Sequence, residues 1–98
     1  MPNFIERTWF AIAPDGGHHE VNLVVGTPTL RSGGDWAVSV SLGVVEPRRM
    51  EIYGVDSWQA MNLGMRFIGR LVQTAEKEGW QFYWNAGGER TSPSDLFL

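Results

Sequence analysis

The chain contains no cysteine, and its charged residues make up 19% of the sequence, below the roughly 25% that is typical of globular proteins. Without cysteine, disulfides and thiolate metal sites are excluded, so a hydrophobic core must stabilise the fold. No apolar run approaches the roughly 18 residues of a membrane span. The first residues also lack the basic and apolar regions of a signal peptide. We therefore expect a cytoplasmic protein without a membrane segment.

Positive charge is also scarce. Eight lysines and arginines stand against eleven acidic residues, which gives a net charge of −3. The basic residues are scattered along the chain, and none of them form a cluster as dense as those that bind a phosphate backbone. The sequence therefore predicts no nucleic-acid partner.

Apolar residues make up 43% of the 98 residues, and these include five tryptophans and five phenylalanines. A domain of this size buries roughly two-thirds of the surface that its unfolded chain exposes, which is enough for one core. We expect a single domain over residues 1–98. Residues 85–98, which are rich in glycine, serine and other polar residues, are predicted to form a loop-like tail. Its apolar end, residues 96–98, is expected to be tied back onto the body of the domain.

Alternating apolar residues predict strands over residues 4–13, 20–26, 36–45 and 50–54. The turn at 14–17 makes the first two a hairpin, and residues 27–35 form the longest predicted loop. In segment 36–45 large side chains alternate with small ones. The small face is predicted either to face solvent or to be covered closely by another element. A last strand is predicted over residues 80–84.

Asp56 and Gln59 form a variant of the capping box, which predicts a helix start. Gly79 marks the end of the helix. One arc of this helix is apolar, and the opposite face is polar. The arc comprises Trp58, Ala60, Met61, Gly64, Met65, Ile68, Leu71, Val72 and Ala75. Gly64 on this arc predicts that a strand passes close by.

These elements predict an α+β fold of order β-β-β-β-α-β. The sheet is antiparallel with four to five strands, and one long amphipathic helix packs on one face.

Residues with catalytic or metal-binding chemistry are few. His18 and His19 are adjacent on a predicted strand, so their imidazoles point to opposite faces and cannot easily share a metal ion. The glycine pairs at 33–34 and 87–88 lack the Lys-Ser/Thr of a phosphate loop. No Gly-x-Ser-x-Gly nucleophile motif is present. We therefore predict no catalytic, metal or cofactor residue, and we favour a protein that is not an enzyme.

Four helix residues form the predicted interaction surface. Arg66 and Arg70 lie one turn apart on the polar face, where they either engage an acidic partner or are simply solvated. Leu63 and Phe67 flank the apolar arc and would form a shallow apolar strip for a partner or a second copy of the chain.

Three functional hypotheses follow. The first is a non-enzymatic protein-interaction module, immunity-like or accessory, that covers the surface of another protein or binds a second copy of itself. The alternative is a small-molecule binder or enzyme with a pocket between helix and sheet, lined by Met61, Met65 and the tryptophans. A third is a purely structural self-associating domain, which requires an uncovered strand edge and a symmetric contact.

The segment from Gly54 to Gly64, preceded by Gly-Gly-Asp-Trp at 33–36, resembles a family of short uncharacterised bacterial proteins. In that family the signature Gly-Val-Asp-Ser-x-Gln-Ala opens a helix behind an N-terminal sheet. The resemblance covers residues 5–84 and implies a β-rich half followed by a helix. It implies no catalytic residue. Gly64 departs from the family pattern, in which an alanine-like residue is more usual, and this raises a question of helix packing.

Overall fold

A computed structural model describes residues 4–97 of the chain, and over these residues it contains six strands and one long helix. Two short 3-10 helices, η1 and η2, complete the described part. The elements in chain order are β1 (Phe4–Ile12), β2 (His18–Gly26), β3 (Thr29–Leu30), β4 (Trp36–Ser41), η1 (Gly43–Val45), β5 (Met50–Gly54), α1 (Ser57–Lys77), β6 (Gln81–Tyr83) and η2 (Pro93–Phe97).

The strands form one antiparallel sheet. Across the sheet the order is β5, β4, β2, β1 and β6, and the short β3 pairs with β4 on the same side as β2. The chain adds strands outward from the first hairpin, passes through α1, and then returns β6 to the opposite edge beside β1. The predicted α+β class and the helix packed on the sheet are confirmed.

The core lies between α1 and one face of the sheet. Val21, Leu23 and Val25 of β2 point toward the helix, as their alternation predicted, and all three are buried. Gly64 lies directly over β4, because a Cβ atom added there would be 2.7 Å from Val38 Cγ2. The close approach predicted at Gly64 is therefore confirmed.

Three predictions about individual elements are wrong. Trp58, which was assigned to the apolar arc, is 82% exposed, because β5 ends at Gly54 beneath Ala60 and no strand of the described residues continues under Trp58. The strand predicted to reach residue 45 ends at Ser41, since Gly43 turns into η1 with a φ of +57°. The predicted loop over residues 27–35 contains β3.

The sheet face opposite α1 carries the small residues of β4. Tyr53 of β5 stands directly opposite Ala37, and Glu51 stands opposite Ser39. The Glu51 carboxylate accepts hydrogen bonds from Tyr53 Oη and from Arg31. These long side chains cover the small face, and Ala37 is only 1% exposed.

The helix begins with the predicted cap. Asp56 Oδ1 accepts a hydrogen bond from the backbone N–H of Gln59 at 2.8 Å, and Gln59 Oε1 accepts from the N–H of Val55. We expect Asp56→Ala to lower the free energy of unfolding by about 1 kcal/mol. Asp56→Asn keeps the acceptor oxygen and should retain most of this stabilisation. Urea unfolding of the three proteins checks this, and equal stability of Asp56→Ala and wild type would contradict the role of the cap.

Candidate functional site

An open pocket of about 140 Å³ lies between the sheet and α1, at the end of the core where η2 packs. Seven of its nine lining residues are apolar. The pocket is lined by Ile5, Glu6, Arg7, Leu23, Val25, Met65, Ile68, Leu96 and Phe97.

The position of α1 on the sheet creates this pocket. The helix lies mainly over β4 and β5, so the helix-facing residues at the start of β1 extend beyond it. Ile5 pairs with Val25 there and remains 50% exposed. The opposite wall comes from η2, where Leu96 packs against the core and Phe97 is 53% exposed. The result is an apolar pocket that is open to solvent.

The η2 wall is held in place by Asp95. Its carboxylate accepts hydrogen bonds from Thr91 Oγ1 at 2.9 Å and from the N–H of Ser92 at 3.2 Å. Arg7 contacts the same segment, because its Nη1 donates to the Asp95 carbonyl at 3.5 Å. The Arg7 guanidinium also lies 5.0 Å from the centre of the Trp84 ring. A cation is therefore fixed at the edge of the apolar pocket.

A shallow groove of about 290 Å³ adjoins the pocket and shares Phe97 with it. Gly69 allows α1 and η2 to pack closely, because a Cβ atom at position 69 would lie 3.3 Å from Phe97 Cε2. Arg66 and Arg70 line the groove and are exposed. Neither takes part in the ion pairs formed within residues 4–97. We call the pocket and this groove together the pocket face.

Two of the four predicted interaction residues line the pocket face. Arg66 and Arg70 lie on the pocket face, whereas Leu63 and Phe67 line neither the pocket nor the groove. At about 100° per residue, both side chains lie roughly 160° around the helix axis from Met65, which faces β2 and the pocket. Leu63 and Phe67 therefore lie on the side of α1 away from Met65, above the β5 edge, and Arg70 of the groove is only about 20° from Leu63 around the helix axis.

At that edge, β5 pairs with β4 and with no other strand among the described residues. The Tyr53 side chain of this strand is 53% exposed. The hydrogen bond from Tyr53 to the Glu51 carboxylate, together with the negative charge of that group, raises the pKa of the Tyr53 phenol.

The pocket differs from the one that the sequence suggested. Met65 lines it, as predicted, but Met61 and the five tryptophans do not. The alternation of Leu23 and Val25 in the sequence already indicated one wall. The other wall depends on the return of η2. The apolar end of the tail predicted this return, and Leu96 packs against the core as expected, whereas Leu98 lies outside the described residues.

Groups with redox, acid–base or metal chemistry do not gather at the pocket face. His18 packs edge-on against Phe10 with ring centres 5.4 Å apart, and His19 packs against Trp80. Within residues 4–97 no three acidic or imidazole side chains are close enough together to hold a metal ion. None of the helices in this part of the chain is long and apolar enough to cross a membrane. The chemistry of the face is that of an apolar pocket beside arginines.

Comparison with known proteins identifies the family. A family model described as "Domain of unknown function (DUF6968)" matches residues 5–93, so the chain belongs to this family. The match includes most of the tail, with Thr91 and the start of η2, beyond the residues that carried the resemblance in the sequence. No curated protein and no solved structure matches the chain.

Proposed function

We propose that this member of the DUF6968 family is a single-domain, non-enzymatic bacterial protein-interaction module that binds an acidic, amphipathic segment of a partner protein on its pocket face. The observation that carries the proposal is the open apolar pocket beside exposed arginines. Such a module acts as an accessory or immunity-like protein, because it works by covering the surface of its partner. We place it in the cytoplasm.

The size of the pocket supports an anchoring role. A buried cavity of about 150 Å³ accommodates a benzene molecule, so a pocket of about 140 Å³ matches one leucine or phenylalanine side chain. Interfaces derive much of their affinity from such anchors in apolar pockets. Ile5 and Phe97, half exposed at the mouth, would be covered on binding.

The charge around the pocket supports an acidic partner. The chain as a whole carries a net charge of −3. The pocket face nevertheless brings together Arg7, Arg66 and Arg70, whereas Glu6 is its one acidic lining residue. Complementary charge at the rim of an interface increases the association rate and selects among partners. Acidic residues on either side of an apolar anchor would match this arrangement.

The test uses a defined probe, the peptide acetyl-Glu-Glu-Leu-Phe-Glu-Glu-amide, titrated into the ¹⁵N-labelled domain. We expect backbone amide shifts at Met65, Ile68 and Phe97. One matched peptide replaces each Glu with Lys, and a second replaces Leu and Phe with Ser. Neither matched peptide should shift these residues, because one lacks the negative charge and the other lacks the anchor.

A charge reversal sharpens the test. Arg70→Glu should weaken binding of the acidic peptide roughly tenfold, because an attraction at the groove becomes a repulsion. Arg49→Glu makes the same change at an exposed residue in the turn before β5, outside the pocket face, and should leave binding unchanged. The proposal fails if the acidic peptide leaves the pocket residues unshifted at millimolar concentration, or if all three peptides behave alike.

The pocket volume also favours a second candidate function, the binding of a small apolar ligand. Indole and toluene are suitable probes, because each approximates the volume of the pocket. Shifts confined to the pocket residues with these compounds, and none with the acidic peptide, would favour the small-molecule function over the interaction module.

A further inference from the structure

The two edges of the sheet differ in how they are protected. At the β6 edge the chain folds back on itself: Tyr83 bridges Arg90, and Thr91 N–H donates to the Phe82 carbonyl at 2.9 Å. The β5 edge has no such cover among the described residues. Nor does β5 contain a proline or a lysine, two of the residues by which proteins block unwanted strand pairing.

We propose that β5 pairs with β5 of a second copy of the chain, in an antiparallel two-fold dimer that continues the sheet. This surface adjoins the groove, because Leu63 and Arg66 lie one turn apart on α1, but it includes none of the residues that line the pocket face, so the proposal does not depend on the function proposed above.

A two-fold axis at Ile52, the middle residue of β5, sets the register in which all five residues of the strand pair. Both helices then lie on the same face of the joined sheet. Glu51 then stands opposite Tyr53 of the second copy, so each phenol, which donates to Glu51 of its own chain, can instead donate to the carboxylate of the other copy. Pairs of opposite charge or hydrogen-bonding groups across strands are stabilising.

The helices then come to a suitable distance. Strands in a sheet lie about 4.8 Å apart, and α1 lies over both β4 and β5. The axis of α1 is therefore about 5 Å from the two-fold axis, and the two α1 helices are about 10 Å apart. Helices that pack through side chains have interaxial distances of 8–10 Å. The joined sheet thus places the helices in packing contact.

Leu63 and Phe67 fill this contact. Ile52 pairs with Val38, and Gly64 lies over Val38, so the two-fold axis passes close to Gly64 at the level of the helix. On the flank above β5, Leu63 and Phe67 bracket that level and would face their counterparts on the second copy. This would cover Leu63, which is 38% exposed in the single chain.

Sedimentation equilibrium on the full chain tests the dimer. We expect wild type to form dimers in the micromolar to millimolar range. Leu63→Arg places like charges beside the axis and should weaken the dimer at least about tenfold. Tyr53→Asp, a second variant on the other face of the sheet, puts a carboxylate opposite Glu51 and should also weaken it.

Leu30→Arg is the matched control, because Leu30 is 60% exposed and lies on the opposite side of β4 from β5. It should dimerise like wild type. Circular dichroism of each variant establishes that it is folded. A wild-type protein that stays monomeric to millimolar concentration would overturn the proposal. So would a dimer that Leu63→Arg and Tyr53→Asp leave intact, or one that Leu30→Arg weakens as strongly as they do.

Discussion

Replacing Gly54 with alanine is expected to lower the free energy of unfolding by about 3 kcal/mol, the upper end of the usual cost of overpacking. A Cβ at this position would lie 2.5 Å from the backbone nitrogen of Ala60 and 2.9 Å from its Cα. Those atoms belong to the first turn of α1 and cannot move aside as a side chain does. The start of the helix would have to lift away from β5.

For a domain of this size, a loss of about 3 kcal/mol lowers Tm by roughly 12–24 °C. Calorimetry of the Gly54→Ala protein measures this directly. Gly33→Ala is the matched control, because a Cβ there meets nothing within 4 Å and the backbone is not left-handed. It should be neutral or stabilising by less than about 1 kcal/mol. If the two variants had the same Tm, the close packing of β5 on α1 would be contradicted.

Gly64→Ala is expected to cost about 1–2 kcal/mol. The added Cβ would lie 2.7 Å from Val38 Cγ2 and 3.3 Å from Val40 Cγ1, and β-branched side chains have little freedom to rotate away. Overpacking of this kind costs about 1–3 kcal/mol. The higher helix propensity of alanine offsets up to about 1 kcal/mol of that cost.

Gly69→Ala provides the comparison within the same helix. The atom nearest to a Cβ at position 69 is Phe97 Cε2 at 3.3 Å, in a ring that is half exposed and can shift. The gain in helix propensity should therefore dominate, and the variant should be as stable as wild type or more so. Chemical unfolding that ranked Gly69→Ala below Gly64→Ala would contradict this account of the two glycines.

The elements that the sequence predicted well are those whose signals are local. The alternation of Val21, Leu23 and Val25 requires one face to be buried, and the Asp56 cap marks a helix start whatever the rest of the chain does. Gly64 departs from the alanine-like residue expected from the resemblance. The packing of Val38 against it explains why a larger residue does not fit.

What the sequence did not predict depends on contacts between distant segments. The helical periodicity placed Trp58 on the apolar arc, but only the position of Gly54 beneath Ala60 shows that the sheet ends before reaching it. The apolar end of the tail indicated a return to the body, but not that it forms η2 beside α1 and so makes one wall of the pocket. That return depends on Thr91, which is buried, and on the Asp95 hydrogen bonds, and neither belongs to a periodic pattern.

Which of the predicted interaction residues adjoin a pocket could not be read from periodicity. In the structure Arg66 and Arg70 line the groove beside η2, whereas Leu63 and Phe67 line neither the groove nor the pocket. The groove depends on the position of η2 beside α1, which is a contact between distant segments.

The close packing of Gly64 on Val38 determines where α1 lies on the sheet. A double-mutant cycle tests this packing most directly. Unfolding free energies are measured for wild type, Gly64→Ala, Val38→Ala and the double variant. If the methyl group at 64 meets Val38 Cγ2, Gly64→Ala should cost about 1–2 kcal/mol in wild type and should be neutral or stabilising once Val38 is shortened. An equal cost of Gly64→Ala in both backgrounds would show that the helix does not lie on β4 at this point.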